Sequence, residues 1–149
     1  MRPFEDKDNA TISTWFKDGA SQKWLESPWK DEELAIMKTE SHGRVYVAEV
    51  NEGIVGLIGC YLASSEYAFH HISEIHVAPE SRRIGVAREM LKWMTERRHP
   101  APEWRVAIHP ENQAAIHLFE SERWESMHMD HGLRTYRKAA QKCPMKGLS

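Results

Sequence analysis

Cysteine is scarce here, with two in 149 residues: Cys60 inside an apolar run and Cys143 in a polar tail. Neither has a partner at a motif spacing, which excludes a disulfide scaffold and makes a reduced, cytoplasmic protein the expectation. No apolar run approaches the roughly 20 residues of a membrane-spanning helix, and the amino terminus carries no signal-peptide pattern, so no membrane partner is expected. Excess charge is missing too. Lys and Arg number 20 against 22 Asp and Glu, for a net charge of −2, which argues against a dedicated nucleic-acid surface. Internal repeats and low-complexity blocks are absent. Nine histidines are present, but none stands in H-x-x-x-H or at ligand spacing from a Cys or carboxylate, so no metal site is expected.

What remains is an ordinary globular composition, 41% hydrophobic and 28% charged, in a chain long enough to close one core. A single domain is expected over residues 1–138, with 139–149 as a frayed tail. From the amino terminus, Asp8 to Asp18 reads as a helix with Asp8 near its N-cap, Ile12, Trp15 and Phe16 inward, and Gly19 at its end. Ser21 to Trp29 is a turn or broken helix around Pro28, and Asp31 to Glu40 a second helix. Arg44–Val50 and Ile54–Ala63 are strands joined at Asn51-Glu52-Gly53. Glu103 leads into a fifth strand, Asn112 to Ser121 is a helix, and Trp124–Met129 with Leu133–Arg137 closes as a strand pair around Asp130-His131-Gly132. The order β–α–α–β–β–β–α–β–α–β–β gives a mixed sheet with helices on both faces, an α/β (α+β) fold.

The most informative stretch lies between. His71 to Val77 reads as a strand that Pro79 helps to end. Arg82-Arg83-Ile84-Gly85-Val86-Ala87 then turns into a helix with Ile84, Ala87, Met90, Leu91 and Met94 on its apolar face, which stops before Pro100. A helix start offers unpaired N–H groups and the positive end of its dipole. Gly85 lets an anion approach the backbone, and Arg82 and Arg83 add forked donors. A strand–turn–helix connection with two solvated arginines explains the same residues.

A second stretch separates these readings. Asn112, opening Asn112-Gln113-Ala114-Ala115-Ile116-His117-Leu118-Phe119, stands 27 residues beyond Gly85 and follows the strand Trp104–His109. With Arg82, Gly85 and Ala87 in R-x-x-G-x-A register, and with Met1-Arg2-Pro3-Phe4 as an opening strand, the chain resembles the GNAT superfamily of acetyl-coenzyme A-dependent N-acetyltransferases over roughly residues 2–138. The resemblance implies a mostly antiparallel sheet whose fourth and fifth strands are parallel and splay apart, with acetyl-coenzyme A entering the gap. It implies that the amides of Arg83, Ile84, Gly85, Val86 and Ala87 hold the diphosphate, with Arg82 and Arg88 adding charge. Backbone groups of Ile75, His76 and Val77 would pair with the pantetheine arm, and Asn112 would bond the cofactor, unless it is a plain N-cap. Phe119 falls in the cofactor site where many members carry the tyrosine that protonates the leaving thiolate. It cannot do so, and no general acid is assigned; His117 points to another face, and nothing supports Tyr136.

Acetyl transfer to an amine needs a neutral amine, and Glu74 is the leading base, since members often use a carboxylate on this strand. A solvated or paired strand residue is its bland alternative. His70, His71 and His76 share the region, with period-two alternation placing Glu74 and His76 on one face and His71 on the other, unless a bulge breaks the parity. Trp24 and Trp29, among Glu26, Asp31, Glu32 and Glu33, suit a cationic acceptor, or else fill core. The expected activity is acetyl transfer to a primary amine of a small molecule by direct attack. A peptide or protein amine is one alternative, and a catalytically weak acyl-coenzyme A-binding module another. Members often dimerise, so a homodimer is left open.

Overall fold

The computed structural model describes residues 1–17 and 33–139. Its strands are β1 (Arg2–Pro3), β2 (Gly43–Val50), β3 (Gly53–Tyr61), β4 (His70–Val77), β5 (Glu103–Ile108), β6 (Glu125–Asp130) and β7 (Leu133–Ala139). Its helices are α1 (Asn9–Thr14), α2 (Glu33–Thr39), α3 (Val86–Lys92) and α4 (Gln113–Ser121). The strands form one sheet in the order β1-β2-β3-β4-β5-β7-β6, antiparallel except for β4 beside β5. The expected mixed sheet with helices on both faces is therefore present.

Alternation on β2 and β3 divides the core into two layers, because successive side chains leave a strand on opposite faces. Tyr46, Ile58 and Cys60 face a layer with Met90, Leu91 and Met94 of α3, Ile116 and Phe119 of α4, and Trp104, Val106 and Tyr136. Val45, Val47 and Leu57 face the other, with Phe4, Ile12, Trp15, Phe16, Leu34 and Met37 around α1 and α2. The inward positions expected of Ile12, Trp15 and Phe16 are realised, at 0%, 4% and 3% exposure. The helix α1 stops at Thr14 rather than running to Asp18, and Asp8, its N-cap as expected, also ends a 3-10 turn over Asp6–Asp8. Its carboxylate accepts from the Glu5 amide at 2.8 Å and from both terminal nitrogens of Arg2 at 2.8 Å, so it staples β1 to α1.

Several expected boundaries move. The hairpin between β2 and β3 turns on two residues, Asn51 (φ 48°) and Glu52 (φ 65°), with Val50 paired to Gly53. Gly53 belongs to the strand, and Glu52 adopts the left-handed backbone that a glycine would favour. The helix after β4 starts at Val86 with Gly85 as N-cap and finishes in a π turn, Trp93–Arg98. Ile84, expected on the apolar helix face, therefore precedes the helix and is 76% exposed. Ala139, expected to begin the tail, pairs with Glu103 at the end of β7. The expected helix end at Gly19, the Ser21–Trp29 turn and the rest of the tail lie outside the described residues.

Candidate active site

The site is built by two neighbouring strands that part company. β4 and β5 pair at His70 with Trp104, His71 with Arg105 and Ile72 with Val106, and no further. β5 stays tied to β7 from Glu103 to Ile108, while β4 follows β3. The register between β3 and β4 jumps from Gly59 opposite Glu74 to Cys60 opposite Ile72, leaving Ser73 as an extra, exposed residue. Such a bulge adds twist and bends its strand, which turns β4 away from β5. Beyond it a gap opens along Ser73–Val77, where β4 lacks the neighbour that would take up its backbone groups on that side.

The bulge also corrects the expected parity. Ile72, Ile75 and Val77 all pack in the α3–α4 layer, three residues and then two apart, so the alternation slips at Ser73. His71 consequently shares a face with Glu74 and His76. Its ring lies 5.4 Å from Tyr61, which packs in the α1–α2 layer, and Phe16 of that layer meets His76 edge-on at 4.9 Å. His70 faces the other way, 4.9 Å from the Trp104 ring, and its Nδ1 accepts from the Ala63 amide at 2.7 Å.

At the mouth of the gap the backbone after Pro79–Ser81 runs extended at Arg82, left-handed at Arg83 (φ 66°) and left-handed again at Gly85 (φ 90°). Left-handed residues in such a turn swing consecutive N–H groups to one side. The first bond of α3 runs from the Glu89 amide to the Gly85 carbonyl at 3.1 Å, which leaves the amides of Val86, Ala87 and Arg88 without helical acceptors. A side-chain carbon built on Gly85 would meet nothing within 4 Å. Glycine is thus required here for its backbone angle, and the space above it is open. These residues fit a diphosphate. Arg82 Nε donates to the Val77 carbonyl at 3.3 Å, so it bridges the loop to β4. Arg88 instead clamps α3 to α4, through Glu122 at 2.9 Å and Ser121 at 3.1 Å.

The remaining expected residues divide. Asn112 is an N-cap, its Oδ1 accepting from the Ala115 amide at 3.2 Å. Phe119 is 1% exposed and edge-on to Trp124 at 4.8 Å, which makes it a core residue of α4. Tyr136 is equally buried, and its hydroxyl donates to Glu120 at 3.0 Å. Burial pushes the Cys60 thiol up to about 12, so Cys60, the cysteine among the described residues, offers no thiolate to carry an acyl group. Glu74 and His76 are bonded to each other, Oε2 to Nε2, at 2.6 Å. Trp24 and Trp29 lie outside the described residues.

Two residues near Glu74 were not anticipated. The Tyr61 phenol is pushed up by burial, then by the charge of Glu40, a hydrogen bond to it, and the charge of Glu74. The tyrosine hydroxyl thus bonds Glu40 and feels the charge of Glu74. Period two along β3 puts Tyr61 on the face of Leu57 and Gly59, a signal present in the sequence; the position of Glu40 depends on how α2 packs.

Known proteins share this architecture. The model of the acetyltransferase (GNAT) family matches residues 9–123. An acetyltransferase from Thermus thermophilus superposes with a TM-score of 0.79 at 15% identity, over 93% of this chain and 94% of that one. A ribosomal-protein-alanine N-acetyltransferase from Brucella melitensis does so at 0.72 and 20%, over 93% and 98%. The aminoglycoside acetyltransferase AAC(6')-Ib in complex with coenzyme A gives 0.73 and 13%, over 93% and 92%. No curated protein matches this sequence.

Proposed function

The chain belongs to the GNAT family of acetyltransferases, and from that premise we propose that it transfers the acetyl group of acetyl-coenzyme A to a primary amine of a small molecule, by direct attack in a ternary complex. Membership makes it an acyltransferase that depends on acetyl-coenzyme A. The observation that carries the reading is the gap between β4 and β5, with an anion-ready loop at its mouth and a half-buried carboxylate, Glu74, on the strand that lines it.

Acetyl-coenzyme A supplies the activated acyl group; the chain's own residues do the rest. The amides of Val86, Ala87 and Arg88 hold the diphosphate, and the free side of β4 aligns the pantetheine arm. Glu74 takes the proton from the incoming ammonium, so that a neutral amine attacks. The carboxylates of Glu74 and Glu40, both of which act on Tyr61, favour a cationic acceptor over a neutral one. Backbone groups freed at the Ser73 bulge are the available donors for the oxyanion. With Phe119 in the core and Tyr136 bonded to Glu120, the thiolate leaves as it is or with a proton from water.

Structural neighbours include aminoglycoside, spermidine and ribosomal-protein acetyltransferases, so a peptide amine is the second reading. The absence of a phenol at position 119 favours a third, a catalytically weak acyl-coenzyme A-binding module. One experiment separates them. The purified protein is given acetyl-coenzyme A with spermidine, an aminoglycoside or an alanine-terminated peptide, and free thiol is measured. Release with the small amines supports the proposal, and release with the peptide alone moves it to the second reading. Binding without release leaves the module. Gly85→Glu should abolish acetyl-coenzyme A binding; retained affinity would sink the loop assignment. Glu74→Gln should slow the reaction chiefly at low pH, where little amine is already neutral.

A further inference from the structure

The side chain of His76 lies where a backbone role alone leaves it unexplained. It sits two residues from Glu74 on the same face of β4, and its Nε2 lies 2.6 Å from Glu74 Oε2. An ionised carboxylate only accepts hydrogen bonds, so Nε2 carries the shared hydrogen and donates it. The Phe16 ring, 3% exposed, meets the imidazole edge-on at 4.9 Å with 84° between planes. That contact holds the imidazole plane, and the plane fixes where the donated hydrogen points. Both side chains of the pair are only partly exposed, at 21% and 24%, where a hydrogen bond competes less with water.

We propose that His76 is a positioning residue for the acetyl transfer: by donating from Nε2 to one oxygen of Glu74, it locks the carboxylate's rotation and leaves the second oxygen to receive the acceptor's proton. The inference rests on the reading of Glu74 as base. A glutamate has three side-chain torsions, and a general base works only when its oxygen stays within hydrogen-bond reach of the proton it removes. Among the described residues, the other groups on this side of the carboxylate are Tyr61 on β3, through its charge interaction, Glu40 after α2, through Tyr61, and His71, which shares the face and which burial lowers toward the neutral ring. None of these brings a positive charge, and among the described residues no lysine or arginine forms an ion pair with Glu74. His76 is the partner that orients it.

The test exploits the geometry of histidine. Glutamine places an amide N–H near the position of Nε2, asparagine places it near Nδ1, and leucine places none. His76→Gln should keep kcat within about threefold of the parent, while His76→Asn and His76→Leu should lose about tenfold to a hundredfold, part of the 10²–10⁴ that a general base supplies. KM for acetyl-coenzyme A should stay unchanged in all three. A packing role would not distinguish Gln from Asn in this way. If all three turn over like the parent, or all three fall together with their melting temperatures, the proposal is overturned. Glu74→Gln, run in parallel, separates the two claims. A parent-like rate for Glu74→Gln removes the base and this inference with it; a slow Glu74→Gln beside three active His76 variants removes the positioning role alone. Nitrogen-15 NMR of the imidazole gives a readout independent of turnover. At about neutral pH, Nε2 should carry hydrogen in the parent, and an unprotonated Nε2 overturns the proposal.

Discussion

Acidification should weaken this fold through one ring, that of His99. His99 follows the π turn of α3, and its Nε2 is hydrogen-bonded to the Tyr46 hydroxyl at 2.8 Å. That hydroxyl in turn accepts from Arg98 Nε at 3.3 Å. A proton on the ring would sit close to the Arg98 guanidinium, which shares the same hydroxyl, and the two positive charges would repel. Burial, then the charges of Arg98, Arg44 and His70, lower the imidazole from 6.5 to about 4. The unfolded chain therefore takes up this proton first, and the stability tied to the neutral ring is fully present above 6.5 and lost as pH falls toward 4. Each decade in that window is worth about 1.4 kcal/mol, so complete titration costs the fold about 3 kcal/mol, and about 2 kcal/mol after allowing for solvent at a half-buried ring. The perturbation is His99→Gln, whose side-chain amide can still bond Tyr46 but does not titrate. Urea unfolding of both proteins at about pH 7.5 and about pH 4.5 should show the parent losing about 2 kcal/mol more than the variant. Burial also lowers His70 and His71, but both are present in each protein and largely cancel in the difference. Equal acid losses in the two proteins would refute the argument.

Other substitutions test other parts of the fold. Glu52 and Arg123 hold left-handed backbone, at φ 65° in both cases, so Glu52→Gly and Arg123→Gly should each stabilise by about 0.5–1 kcal/mol and shift the urea midpoint without changing its slope. Phe119→Tyr, which installs the phenol common in relatives, should destabilise by about 1–3 kcal/mol and leave the rate unchanged, because the new hydroxyl lands in the core rather than in the gap. A faster enzyme would show that the ring reaches the thiol. Arg2→Ala takes from the Asp8 carboxylate, 3% exposed, both guanidinium bonds and leaves it the Glu5 amide; calorimetry should register a loss of about 2–3 kcal/mol. Burial alone would raise the Asp8 carboxyl, but its bonds from Arg2 and the Glu5 amide hold it below 3.8. The stability it contributes is thus present above that value and lost as pH falls below it.

What the sequence made legible was local. Arg82, Gly85 and Ala87 announce a loop because glycine and proline act on their own neighbours, and Asn112 caps a helix with a side chain that reaches three residues. The strands β2 and β3 were legible from their apolar runs and the turn residues between them. Features decided by distant pairings were not legible. The bulge at Ser73 exists only in the register against Gly59 and Cys60, so the face of His71 could not be read from β4 alone. Nothing near His99 in the chain announces Tyr46, 53 residues earlier. Phe119 matched a motif position, yet its burial is set by Trp124 and by how α4 lies on the sheet. Left-handed Glu52 and Arg123 carry no composition signal, since residues of those types seldom adopt that backbone.

The two halves of the chain meet along a short seam. Only three residue pairs join β4 to β5, whereas six join β5 to β7 and eight join β2 to β3. A sheet so divided has few main-chain bonds across its middle, and its two parts are held together there by the shared core, with Met90 and Met94 on one side and Trp104 and Val106 on the other. A ligand that paired with both lips beyond Ile72 and Val106 would supply the rungs the sheet lacks along that line.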